Sequence, residues 1–212
     1  MMIDEIRAKL SVQPNPKTKE IDTYNKELIK SKIDVSGLSQ HVLDNQEFHR
    51  TYFQVSLGQI KDLKAQFAFI EQNEDYLQDW WHVDQLNQFL KKPVDFDFAY
   101  DKARQYVNSD KIFTRRWGYV LFLAGLQKDP TRTKLILALM KNDAEYYVQM
   151  AQAWLICDLA VFNPKETIEF IENSDLNYNI LGKAIQKMVD SFRISAENKD
   201  YVKSLRSKLK KN

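Results

Sequence analysis

The chain predicts an all-α fold, a right-handed stack of helix pairs, and three observations carry that prediction. First, Gly and Pro together supply only 10 of 212 residues, about half the usual share, which argues against many short strands joined by tight turns. Second, apolar residues recur at helical spacing through most of the chain. Third, short polar clusters repeat at Asn73-Glu74-Asp75, Asn108-Ser109-Asp110, Asn142-Asp143 and Asn173-Ser174-Asp175, with Asn spacings of 35, 34 and 31 residues. A period of that length, with two helices in each unit, is the sequence mark of an α-solenoid.

The elements follow in order. Ile3 to Leu10 reads as a short helix, separated by Pro14 and Pro16 from a second over Thr18 to Ile33. Gly37 marks a turn, and Leu38 to Leu43 with Glu47 to Phe69 gives two or three helices around Gly58. These N-terminal helices, residues 1–72, form an irregular lead-in to four pairs over residues 73–212, all within a single domain. In the first pair, a helix holding Tyr76, Trp80, Val83 and Asp84 runs to about Leu90, Pro93 breaks it, and Phe96 to Val107 follows. In the second, Ile112 to Leu126 is followed by an Asp129-Pro130 turn and Thr131 to Met140. The third joins Ala144–Phe162 through Asn163-Pro164 to a helix ending near Ile171. The fourth is Leu176–Phe192 with Ala196 to about Leu209. Each polar cluster precedes a helical pattern and is expected to cap it, because Asn, Ser and Asp side chains accept from free amides at helix starts.

Composition excludes several classes of function. A single cysteine, Cys157, permits no internal disulfide, and three His with one Cys give no zinc site of the usual kind. Phosphate loops and the common hydrolase signatures are absent, and nothing calls for a cofactor or metal. No apolar run is long enough for a membrane span, and the charged start MMIDEIRAKL lacks the apolar stretch of a signal peptide. The expectation is a soluble, cytoplasmic monomer. Net charge is only +2, but Lys199 to Asn212 holds six Lys or Arg against one Asp, and Arg115-Arg116 heads an apolar helix. Clusters of this kind neutralise phosphates when they are not merely solvated faces.

The chemistry-bearing candidates are few. Trp80 and Asp84 are four apart on one helix and so share a face. Trp154 and Arg116 lie on the first helices of later units, and equivalent helices of a stack stand side by side. One concave surface is therefore expected to bring together two indoles, a carboxylate and a guanidinium. Taken singly, each has a blander reading: Trp is usually core, and Asp and Arg on helices are usually solvated. Cys157, inside Ala153-Trp154-Leu155-Ile156-Cys157, reads as buried and inert. Tyr146-Tyr147 reads as packing, with base stacking as the alternative.

Three strings together carry a resemblance: Asp79-Trp80-Trp81-His82-Val83-Asp84, then Arg115-Arg116-Trp117-Gly118-Tyr119-Val120-Leu121, then Tyr147-Val148-Gln149-Met150-Ala151-Gln152-Ala153-Trp154-Leu155. Over roughly residues 70–195 the chain resembles the bacterial AlkD-like DNA alkylation repair proteins, glycosylases built from HEAT-like helix pairs. The resemblance implies an α-α superhelix that acts on double-stranded DNA and excises cationic alkylpurines such as 3-methyladenine and 7-methylguanine. It also implies that Trp80, Asp84 and Trp154 are the catalytic cleft residues, with Arg116, joined by Arg115, at the DNA backbone. The chain departs from the family pattern at Met150 and Cys157, where a Lys and an Arg are usual, and at Trp81, where Asp is usual. Residues 32–39 also replace the family's aromatic-Leu-Gly-Ile segment. The lost cations point to the competing readings: a nucleic-acid-binding protein of weak or no excision activity, or a protein–protein scaffold.

Overall fold

A computed structural model of the chain describes residues 2–11 and 17–210. Among them are thirteen α-helices and no strand, as the scarcity of turn residues requires. Pro14 and Pro16 lie outside the described residues. The chain condenses into two compact units that divide between Val94 and Asp95. The first predicted helix pair is thus shared out, its Trp80 helix in the first unit and its Phe96 helix in the second.

The first unit holds α1 (Met2–Ser11), α2 (Thr18–Lys30), α3 (Gln46–Gln59), α4 (Leu63–Gln72), α5 (Trp80–Asp84) and α6 (Leu86–Phe89). Short 3-10 turns cover Ser36–His41 and Glu74–Tyr76. The N-termini are chemically set: Asn45 accepts from the Phe48 amide at 2.9 Å and Asp62 from the Ala65 amide at 2.8 Å. Helix α3 is the centre, packed against α1, α2 and α6 and burying Phe48, Phe53, Val55 and Leu57. The helix expected from Trp80 to Leu90 is interrupted at Gln85, whose side chain is held between His49 and Arg50.

The second unit runs through α7 (Phe96–Tyr106), α8 (Ile112–Val120), α9 (Thr133–Leu137), α10 (Tyr146–Phe162), α11 (Pro164–Asn173), α12 (Tyr178–Asp190) and α13 (Ala196–Leu209). Here the pairing is plain. α10 packs against both α8 and α12, so three first helices stand side by side. α7 packs on α8, α11 on α9 and α10, and α13 on α11 and α12. Because α10 is enclosed by neighbours on most sides, it is apolar nearly all round. Asp95 caps α7 by accepting from the Phe98 amide at 2.8 Å, and Asn177 and Ser195 cap α12 and α13.

Two expectations change in this unit. The helix predicted over Ile112–Leu126 ends at Val120, tightens to 3-10 over Leu121–Ala124, and stops where Gly125 turns left-handed at φ 113°. The polar clusters do repeat, but three of the four finish the preceding helix rather than cap the next. Asn73, Asn108 and Asn173 each donate from Nδ2 to the carbonyl four residues back, Phe69, Arg104 and Glu169, at 2.8 Å in every case. The last carbonyls of a helix lack an internal partner, and the Asn amide supplies one. Lys111 and Glu145, which precede α8 and α10, make no side-chain cap. The clusters also bridge neighbouring repeats: Lys141 Nζ reaches Asn108 Oδ1 at 2.7 Å, and Asn142 Oδ1 accepts from the Asn177 amide at 2.7 Å.

The α7–α8 pair depends on Gly118. A Cβ there would stand 2.8 Å from Val107 Cγ1, 3.0 Å from the Val107 backbone nitrogen and 3.2 Å from Tyr106 Cβ. Backbone cannot yield as a side-chain tip does. Gly118→Ala is therefore expected to lower unfolding free energy by about 1–2 kcal/mol in urea titration, the overpacking cost outweighing the gain in helix propensity.

Candidate functional site

The predicted residues fall in both units: Trp80 and Asp84 in the first, Arg115, Arg116 and Trp154 in the second.

In the first unit, α5 begins at Trp80 because Asp79 is extended and caps it. Asp79 Oδ1 accepts from the Trp80 amide at 2.6 Å, and its Oδ2 accepts from the Trp81 indole Nε1 at 3.1 Å. One carboxylate thus fixes both the start of the turn and the neighbouring indole. His82 and Val83 point inward and are buried. The opposite side carries Trp80, 46% exposed, and half-buried Asp84 one turn on. An indole left that open on a rigid turn is not core.

A polar network under α5 holds it in place. The rings of His49 and His82 stack at 3.8 Å with an 8° tilt. His49 Nε2 lies 3.2 Å from the Tyr76 carbonyl, and its Nδ1 lies 2.8 Å from Gln85 Nε2. Protonation at Nε2 satisfies both contacts, since Nδ1 then accepts. Gln85 Oε1 accepts from Arg50 Nη1 at 3.0 Å, and Arg50 grips Asp22 through Nε at 2.7 Å and Nη2 at 2.9 Å. The network therefore ties α2 and α3 to the residue that follows Asp84.

Burial keeps the two imidazoles neutral. His49 is pushed down to about 3, by burial first and then by His82, and His82 is pushed down to about 4 by burial, with Asp79 opposing. A histidine whose folded pKa is depressed binds its proton only in the unfolded chain over the interval between the two values. Stability is thus full above about pH 6.5 and falls as the pH drops toward 4. His49 alone contributes a slope of up to about 1.4 kcal/mol per pH unit there. The urea midpoint is expected to fall between pH 7 and pH 4.5, and less steeply in a His49→Gln variant.

In the second unit, the outward row of α10 is Tyr147, Met150, Trp154 and Asp158, at helical spacing. Trp154 is 37% exposed, and Tyr146 and Tyr147 are exposed beside it at the start of the helix. Cys157 is buried, and burial, followed by Asp158, pushes its thiol up to about 11, which leaves it an inert group rather than a nucleophile.

The arginines are differently placed. Arg115 pairs with Asp143 at 2.8 Å and donates from Nη1 to the carbonyls of Ser109 at 2.9 Å and Asp110 at 3.2 Å. Arg116 is only 4% exposed and donates from Nη1 to the Tyr147 carbonyl at 2.6 Å. Both guanidiniums hold α8 to the start of α10. The sequence pattern could not show this, because Asp143 and the Tyr147 carbonyl lie 28 and 31 residues away. The same distance hides the Asp22–Arg50 pair and the His49–His82 stack; no local signal marks either. Among the described residues no group of three His, Cys, Asp or Glu could hold a metal ion, and no helix is long and apolar enough to cross a membrane.

Each unit thus presents an exposed indole on a helical scaffold, Trp80 on α5 and Trp154 on α10. A family model described as DNA alkylation repair enzyme matches residues 15–188, most of the chain. The chain belongs to that family, and the all-α fold of HEAT-like pairs read from the sequence is the family's own. No curated protein and no solved structure gives a match.

Proposed function

We propose that the protein hydrolyses the N-glycosidic bond of cationic N3- or N7-alkylpurines in duplex DNA. The observation that carries this reading is the outward pairing of Trp80 and Asp84 on α5 in a chain of the alkylation repair family. An alkylated ring nitrogen makes the base a cation and a good leaving group, so no general acid is needed. As the C1′–N bond breaks, its electron pair leaves with the base, which departs neutral, and positive charge develops on the sugar. The Asp84 carboxylate stabilises that charge, orients the water that adds to C1′, and takes up the proton the water sheds before passing it to solvent. Trp80 offers its indole face to the cationic nucleotide, worth about 0.5–2 kcal/mol, and Trp154 in the second unit offers one to the DNA that unit binds.

Arg115 and Arg116 were expected at the DNA backbone. With Arg116 buried and Arg115 engaged by Asp143, we assign both to positioning, keeping α8 and the first turn of α10 fixed under the Tyr147–Trp154 row. A second reading is favoured by Met150, which leaves that row without a cation of its own: a protein that binds damaged DNA without excising the base.

Incubation of the full chain with a duplex containing 7-methylguanine separates these readings. Release of free base above the buffer rate is the expected result. Salt-sensitive binding without release would leave the binding reading, and no affinity for duplex DNA at low salt would leave a protein–protein scaffold.

A further inference from the structure

We infer that Lys183 and Lys187 on α12 are backbone contacts that hold two phosphates of the bound strand beside Trp154. The inference rests on the reading that duplex DNA meets the exposed row of α10. The two lysines are one turn apart on one face of α12, the helix packed directly against α10. Lys183 follows Met150, and Lys187 follows Trp154, by 33 residues, the separation of the Lys141–Asn108 and Asn142–Asp175 bonds between repeats. They therefore occupy on α12 the places that the exposed row occupies on α10.

The chemistry agrees. Both side chains are half-buried, so their stems are packed and their ammonium groups are directed rather than free to sweep. The Lys183 Nζ stands 4.7 Å from the centroid of the Tyr146 ring, and the Lys187 charge acts on the Cys157 thiol against the effect of burial. Each lysine thus lies against α10, one at the start of its exposed row and one just beyond Trp154. Among the described residues neither has a carboxylate within ion-pairing distance. Other cations near this row are engaged: Arg115 with Asp143, Arg116 with the Tyr147 carbonyl, and Arg193 with Asp158 at 2.7 Å. Two unpaired, oriented ammonium groups beside an exposed indole suit a phosphodiester chain, and one phosphate per lysine is the natural stoichiometry. The basic helix α13 packs on α11 and α12 and is the matched control.

The test is the salt dependence of duplex binding by the full chain, with a short duplex carrying a 7-methylguanine as the probe. Each lost phosphate contact reduces the slope of log K against log salt by about 0.9, so K183Q/K187Q should flatten it by about 1.8. K208Q/K210Q removes the same charge from the last turn of α13 and the residue after it and should leave the slope within about 0.3 of the wild type. K183R/K187R should restore it, which separates loss of charge from loss of fold. An unchanged slope in K183Q/K187Q, or equal flattening by K208Q/K210Q, overturns the assignment even when the wild type releases base normally. A wild type with no salt-dependent duplex binding at all overturns both the assignment and the functional reading beneath it.

Discussion

Replacing Asp84 with asparagine is expected to slow single-turnover release of 7-methylguanine by about 100-fold or more, while duplex binding stays equal or becomes slightly tighter. Asparagine keeps the shape and loses the charge. A group aimed at charge that exists only in the transition state is worth about 3–4 kcal/mol, which is a factor of 10²–10³. The ground-state complex gains nothing from that carboxylate, and removing a negative charge near DNA eases association. The signature is therefore a fall in rate at saturating enzyme rather than a rise in Kd. Trp80→Ala should be milder, a loss of about 0.5–2 kcal/mol, because an indole face attracts the cation in the ground state as well as in the transition state. Equal loss of binding and rate in Asp84→Asn would instead mark the residue as part of the scaffold.

The second large effect is on folding. Arg50→Ala is expected to lower unfolding free energy by about 3 kcal/mol in urea, near the lower end for one-sided removal of a buried ion pair because Asp22 keeps some access to water. Arg50 donates to Asp22 twice, to Gln85 and to Gln88, and its guanidinium lies 5.0 Å from the centroid of the Phe89 ring. Without it, Gln85 Oε1 loses its partner in a buried setting and His49 loses the group that orients Gln85. Asp22→Asn should cost a similar amount, since it leaves the more buried guanidinium without its counter-charge and turns an amide N–H toward one of its two donors. A loss below about 1 kcal/mol in either variant would show that the pair does not hold α5.

Much of the fold was legible because it is local. Helical periodicity placed most of the helices, and Asp129-Pro130 and Asn163-Pro164 marked starts through chemistry confined to a few residues. The 31–35-residue period was legible too, though its cause lies at the helix ends, where Asn73, Asn108 and Asn173 each serve a carbonyl four residues back. Periodicity cannot tell which end of a helix a polar cluster serves. The end of α8 at Val120 was hidden because apolar spacing continues through a 3-10 turn as it does through an α-helix.

The site was legible in residue type and not in environment. Nothing local distinguishes Trp80, half open to solvent, from Trp117, buried and stacked on Tyr106 at 4.8 Å. Arg115 looked like a free cation because Asp143 is 28 residues away, and Lys183 and Lys187 drew no notice because a helical i, i+4 pair of lysines is common on solvated faces.

The central claim is that the Asp84 carboxylate and the Trp80 indole face act on a base that is already a cation. Comparing release of 7-methylguanine with release of hypoxanthine, a neutral purine, from otherwise identical duplexes tests it most directly. The protein should free 7-methylguanine well above the buffer rate and leave hypoxanthine untouched, because a neutral base needs a proton donor on leaving. Release of both at similar rates, or of neither from a duplex that is demonstrably bound, would contradict the account.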